Sequence, residues 1–456
     1  MHLGFPPTRS IYRHLAAVAG LSLALVCIGG CNQDAYDPEL RYPVRTDWLV
    51  APGTWEIQPT VFNLPGHLPM DHLRETLKQP DKDVSPDQLA LRSWVDKKIF
   101  DPQKLGAELR AEYGKQMEAM FGTPFQPKVA GLNADALKLV EDGLTADAVI
   151  KTLDLGPDKL AAGSKLYRSQ CLHCHGLEGN GRGPTGMWVN PPPRDYRQGT
   201  FKFTSSSLDQ GVRKARREDL LHIVTAGVEG TSMPSFGLLS LAEREALVSY
   251  VIHLSLRGEV EYLTMVDQVK DESRKPAMTL REDLKNPTLK DALDDNLALT
   301  AGRWVASQKA DAAIAPSAYP YGQDDKAFME SAVRGAKVFL GVGGCISCHQ
   351  NYGRESNLVY DDWGTIVRGR NLYEGIYRGG RRPLDLYYRI HSGIKGAGMT
   401  AYKDIKGQIK PEDLQMTAEQ FEKADVLWDL VNYLRALGYS DLRKTLRNEF
   451  KLNIPD

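Results

Sequence analysis

Residues 159–176, KLAAGSKLYRSQCLHCHG, place Cys171 and Cys174 two residues apart with His175 directly after. A second stretch, ESAVRGAKVFLGVGGCISCH at 330–349, repeats the arrangement in Cys345, Cys348 and His349. In both copies a glycine and an aromatic precede the cysteines, Gly163 and Tyr167 in one, Gly335 and Phe339 in the other. The chain around them has 456 residues, enough for two or three domains. Its formal charge of −1 gives no global field that would draw nucleic acid or an anionic surface.

The N-terminus reads as a targeting segment. Arg9, Arg13 and His14 precede an apolar run at 15–30, shorter than the ~20 residues a spanning helix needs. The run ends CIGGC, which resembles a bacterial lipoprotein signal with Cys31 as the lipidated residue. An uncleaved anchor, or a simple signal peptide that happens to contain cysteine, fits the same residues. The leading expectation is a chain tethered through lipid on the outer face of a bacterial membrane. Of six cysteines, Cys27 leaves with the signal, Cys31 takes the lipid, and four lie in the two motifs. None remains for a structural disulfide.

Cys-x-x-Cys-His is the arrangement of covalent c-type haem attachment. Two thioether bonds to haem vinyl groups need two sulfurs on one helical turn, and the next residue then aims its imidazole at the iron. A single Cys₄ zinc site is the main rival, but zinc-binding cysteine pairs are usually about 15–20 residues apart, and these are far more widely separated. A thioredoxin-like motif wants alternating strands and helices, and neither flank shows them. The expectation is two covalently bound c-type haems, on Cys171/Cys174 and on Cys345/Cys348.

At this point the chain resembles the class I cytochrome c family, twice over. In that family a helix bearing a glycine and an aromatic crosses a C-terminal helix whose own aromatic fills the notch. Here EREALVSYVIHLSL (243–256) offers Tyr250 and KADVLWDLVNYLRALGY (423–439) offers Tyr433. The resemblance implies a mostly α fold with two haem modules in tandem. The expected organisation is a signal peptide at 1–30, an N-terminal region of unknown role at 31–155, and a first module at 156–258. A linker at 259–325, a second module at 326–440 and a tail at 441–456 complete it.

The axial ligands are expected to be His175 with Met233 and His349 with Met399. A methionine thioether raises the potential and closes the iron to substrate. An internal comparison supports the pairing: Gly227 precedes Met233 by six residues, as Gly393 precedes Met399. Upstream, Arg194 lies five residues before Gly199 and Arg370 five before Gly375. Met187 follows His175 too closely to reach the far side of a haem, and Met416 sits in a polar segment at a helix start. His222 and His391 do not match one another in the repeat. Arg194 and Arg370 are candidate propionate partners, or else solvated arginines. The basic clusters VRKARRED and YRGGRRP border either a docking face for an acidic partner or an ordinary helix entrance.

The functional expectation is a membrane-anchored dihaem cytochrome relaying single electrons, not an enzyme. By the resemblance, its partner would be a respiratory redox protein or complex, such as a haem–copper oxidase or an alternative complex III-like assembly. The alternative is a dihaem peroxidase or small-molecule oxidoreductase with one open or weakly capped iron.

Overall fold

The computed structural model describes residues 39–47, 49–50, 99–209, 212–270, 280–281, 287–321, 324–356, 358–360 and 366–455. The expected signal peptide and Cys31 lie outside these residues. The described chain is mostly helical, with two small antiparallel pairs, β1 (Leu49–Val50) with β2 (Ile99–Phe100) and β3 (Leu358–Tyr360) with β4 (Ile366–Arg368). Among the described residues no helix is long and apolar enough to cross a membrane.

The first core gathers α1 (Ala107–Phe121), α2 (Ala134–Val140), α3 (Ala146–Leu153), α4 (Pro157–Gln170), α5 (Arg217–Ala226), α6 (Leu241–Lys270) and α7 (Leu289–Gln308). The second gathers α8 (Asp325–Leu340), α9 (Pro383–Ser392), α10 (Ala418–Lys423), α11 (Val426–Leu437) and α12 (Ser440–Asn448). Local sequence accounts for many of the helix ends. Asn133, Thr145 and Thr288 cap α2, α3 and α7 through their side-chain oxygens, and Pro157 and Pro383 open α4 and α9.

The same helix crossing is built in each core. A Cβ on Gly163 of α4 would be driven into the Ala246 carbonyl of α6 and would come within 2.9 Å of the Tyr250 Cβ. A Cβ on Gly335 of α8 would meet the Asp429 carbonyl of α11 and again lie 2.9 Å from a tyrosine Cβ, that of Tyr433. Only hydrogen lets the backbones approach so closely. Above each glycine two rings close the notch. Tyr167 and Tyr250 have centroids 5.2 Å apart at 60°, and Phe339 and Tyr433 are 5.3 Å apart at 59°. All four rings are buried, and such tilted pairs add to the stabilisation from area alone.

The cores differ in what surrounds the crossing. Residues expected as a linker, 259–325, begin inside α6, which runs on to Lys270, and they include α7, which packs on α6 and α2. The long α6 carries buried Ser249, His253, Arg257, Glu259 and Glu261 because other segments cover it on the side away from α4. Residues 42–47 are one such cover. The Tyr42 hydroxyl bonds that of Tyr250 at 2.5 Å, and the Arg45 amide donates to the Glu261 carboxylate at 3.1 Å.

Arg197 locks this cover to the first motif. Fully buried, it donates to Asp47 through both terminal nitrogens (2.9 and 2.8 Å), to Glu178 (2.9 Å) and to Asp195 (2.8 and 3.0 Å). Glu178 lies three residues past His175, so one guanidinium joins the N-terminal segment, the motif loop and the turn at 194–199. Burial alone would raise the Asp47 pKa, but Arg197 and Arg45 outweigh it and hold its carboxyl well below the usual carboxylate range.

Gly335→Ala should therefore destabilise the second core by about 1–3 kcal/mol, the cost of overpacking a close contact, read by denaturant unfolding. An unchanged midpoint would contradict the crossing described. Asp47→Asn should cost about 1.5–3 kcal/mol at neutral pH, the range for hydrogen bonds to charged groups. A depressed folded-state pKa stabilises above the unfolded value, near 3.9, and that contribution disappears as pH falls toward the folded value. The gap between wild type and variant should accordingly narrow from about pH 5 downward. A gap that stayed constant to low pH would remove Asp47 as its source.

Candidate haem sites

Each motif follows its glycine-bearing helix directly. Cys171 ends α4, and Leu172–His175 form one helical turn in which the His175 amide donates to the Cys171 carbonyl at 2.9 Å. In the second motif the His349 amide donates to the Cys345 carbonyl at 2.8 Å. None of the four motif cysteines forms a disulfide. Burial, aided by Cys174, pushes the Cys171 thiol up to about 12, and burial pushes Cys345 up to about 11. Both are neutral S–H groups rather than thiolates, and among the described residues no group of three or more His, Cys, Asp or Glu side chains is placed to hold a metal ion.

The histidines are set for coordination. Burial lowers the His175 pKa to about 4, so the ring is neutral and keeps a lone pair. Its Nδ1 faces the Arg194 carbonyl at 3.4 Å, which leaves Nε2 as the ligating atom. The ring also stacks on Tyr196, 4.9 Å between centroids. Burial lowers the pKa of His349 too, while the Arg370 backbone acts on it in the opposite sense, although Nδ1 makes no hydrogen bond of good geometry. Arg194 therefore orients His175 through its backbone carbonyl, a role the sequence comparison did not supply.

The methionine loops match in their hydrogen bonds. The amide of Val228 donates to the Met233 carbonyl at 3.1 Å, and that of Ile394 to the Met399 carbonyl at 3.0 Å. Gly227 and Gly393 precede these donors with φ of +72° and +68°, and a Cβ on either would strike the carbonyls of its methionine turn. In the first core Cys171, Cys174, His175 and Met233 all line one cavity of ≈ 470 Å³, which is lined elsewhere mainly by apolar residues such as Phe201 and Val248, with Arg182, Lys202 and Asp195 among them. That size and lining suit a large, flat, mostly apolar ligand. In the second core Met399 and Cys345 pack against the same hydrophobic cluster, and the Tyr402 hydroxyl reaches the Cys345 thiol.

The other candidates fall elsewhere. Met187 is 75% exposed on the surface, and His173 is exposed at the border of the first cavity. Met416 packs at the edge of the second core. His222 accepts a contact from Arg382 at 3.2 Å, and His391 stacks on Tyr387 with Nδ1 on Ser392. Arg194 lines the first cavity, whereas the Arg370 guanidinium bonds Glu374 (3.1 Å) and the Ile376 carbonyl (3.3 Å). The first basic cluster turns inward, whereas Arg381 and Arg382 of the second are exposed. Arg213 and Lys214 are buried, donating to the Ser392 carbonyl and to Glu259, and Arg216 and Arg382 stand at the N-caps of α5 and α9.

Comparison with known proteins agrees with the first site. Residues 158–251 match a protein family described as cytochrome c oxidase, cbb3-type, subunit III. No curated protein matches the chain. Among solved structures, the chain is similar to one from the Kuenenia stuttgartiensis reducing HAO-like protein complex, at 20% identity over 61% of this chain and 96% of that one. The TM-score of 0.38 is below the level at which a shared fold follows. Motif, cavity and matched family agree over residues 158–251, which are similar to a c-type cytochrome domain, a kind of domain that carries covalently bound haem and a redox role.

Proposed function

We propose that the chain is a dihaem c-type cytochrome that relays single electrons, anchored by lipid at Cys31 to the extracytoplasmic face of a bacterial membrane. The first haem would be held by Cys171 and Cys174 and ligated by His175 and Met233. The second would be held by Cys345 and Cys348 and ligated by His349 and Met399. The observation that carries this reading is the meeting of motif and methionine at one cavity, together with the same glycine-gated methionine turn in the second core.

A bound haem supplies a one-electron couple centred on its iron. The chain's own residues supply the rest. Neutral thiols at Cys171 and Cys345 match the S–H form that adds across a vinyl group. A neutral His175 offers Nε2, and the apolar cavity wall excludes water and favours the less charged ferrous state. With Met233 and Met399 as second ligands, neither iron would have an open position for peroxide or another substrate, which supports a carrier over an oxidoreductase. The partner would be a redox protein or complex on the same membrane face, a haem–copper oxidase or an alternative complex III-like assembly being the kind the class I resemblance implies.

The ferric, haem-loaded protein should show the near-infrared sulfur-to-iron charge-transfer band of His/Met ligation. Met233→Ala and Met399→Ala should each remove about half of it while leaving haem content unchanged, since attachment resides in the cysteines. A high-spin or bis-histidine signature in the unmutated protein would contradict the ligand assignment and redirect the search to a substrate at that iron.

A further inference from the structure

The first core does not build its cavity alone. One wall is the side chain of Arg378, which follows Tyr377 of the second core. That segment is firmly placed. The Tyr377 hydroxyl donates to the Leu434 carbonyl at 2.7 Å, and Arg389 of α9 donates to the carbonyls of Arg378 and Gly380. Gly379, with φ +82°, lets the backbone lie flat against the ring of Phe203, a residue of the first core that also lines the cavity.

The Arg378 side chain enters this space without a matching charge. Its Nε is buried with no hydrogen-bond partner among the described residues. Burial lowers its proton affinity, and the charged groups acting on it, Arg370, Arg368 and Arg194, are all cations that lower it further. A half-buried guanidinium held among like charges is stabilised when an anion joins it. Arg194 faces the same cavity from the first core. Arginines from different cores thus converge on one pocket, which Arg182 and Lys202 also line beside its apolar residues, and a planar ligand bearing carboxylates on one edge complements that basic lining.

We propose that Arg378, though carried by the second module, is a binding residue of the first haem site, its guanidinium pairing with a propionate carboxylate of the haem attached at Cys171 and Cys174. This rests on the haem reading above and goes beyond it, because the first site is then incomplete without the second module. The neighbouring contacts point the same way. Arg381 pairs with Glu229 at 3.2 Å, and Gly230 lies against the Ile376 side chain, so the loop that carries Met233 is seated on the same segment, 376–381. A fixed positive charge beside the haem disfavours the ferric state, so Arg378 raises the potential of the first site.

The test is a redox titration of the full-length, haem-loaded protein as wild type, Arg378→Gln and Arg378→Lys. The couple of the first site is recognised as the one that Met233→His lowers. Arg378→Gln should weaken reduction of that site by about tenfold, equal to about 59 mV for a one-electron couple. Haem content and the charge-transfer band should not change, and Arg378→Lys should retain most of the wild-type value. An unchanged potential with both signatures intact would overturn the proposal. Loss of the first site's haem or band in both variants would also overturn it, making Arg378 a packing residue. A wild-type protein without haem or band at the first motif would instead overturn the electron-relay reading, before either variant is compared.

Discussion

Two helix backbones meet where a side chain would not fit, and the rest of each core follows from that contact. Gly163 against the Ala246 carbonyl and Gly335 against the Asp429 carbonyl bring α4 onto α6 and α8 onto α11. The helix that carries the glycine ends within a few residues of the cysteine pair, so fixing the crossing also fixes where the sulfurs and the histidine stand. The aromatic one turn after each glycine packs on the crossing tyrosine and makes one end of the motif rigid. Under the proposed function, a histidine placed this way would need little reorganisation when the iron changes charge, as a carrier requires.

The two cores are tied together by contacts that differ from those within each. The amide of Ile314 donates to the Ser205 carbonyl and that of Ser207 to the Ala312 carbonyl, both at 2.8 Å, so the connecting chain is stitched to the first core's long loop. That loop, between Gly199 and Gly227, has no counterpart of equal length in the second core, and it spends its extra residues on the junction. Arg213 reaches the Ser392 carbonyl at 2.6 Å, and Lys395 reaches back to the Arg213 carbonyl at 3.1 Å. Basic residues that look like a docking surface in the sequence are consumed in joining the halves.

Local signals in the sequence carried the motifs, the paired glycines and aromatics, and the methionine loops. The internal repeat was the strongest of these, because equal Gly-to-Met spacings reflect the same backbone hydrogen bond in both loops. Features that depend on distant partners were not legible. Nothing near Arg197 announces that Asp47, 150 residues away, will share its guanidinium. The extension of α6 to Lys270 is stabilised by residues 42–47 and by α7, so its polar residues read as surface until those covers are known. Arg378 escaped for the same reason: its cavity is assembled from both halves of the chain. The contact of the Arg194 carbonyl with His175 belongs to the backbone, so the arginine side chain in the sequence gives no sign of it.

The most direct measurement of the central claim, one haem on each of two equivalent crossings, is mass spectrometry of proteolytic peptides from the mature protein. The account requires the peptide containing Cys171 and Cys174 and the peptide containing Cys345 and Cys348 each to carry the mass of one haem. A second peptide found with free or disulfide-linked cysteines would contradict it and leave the chain a single-haem protein with a haemless partner module.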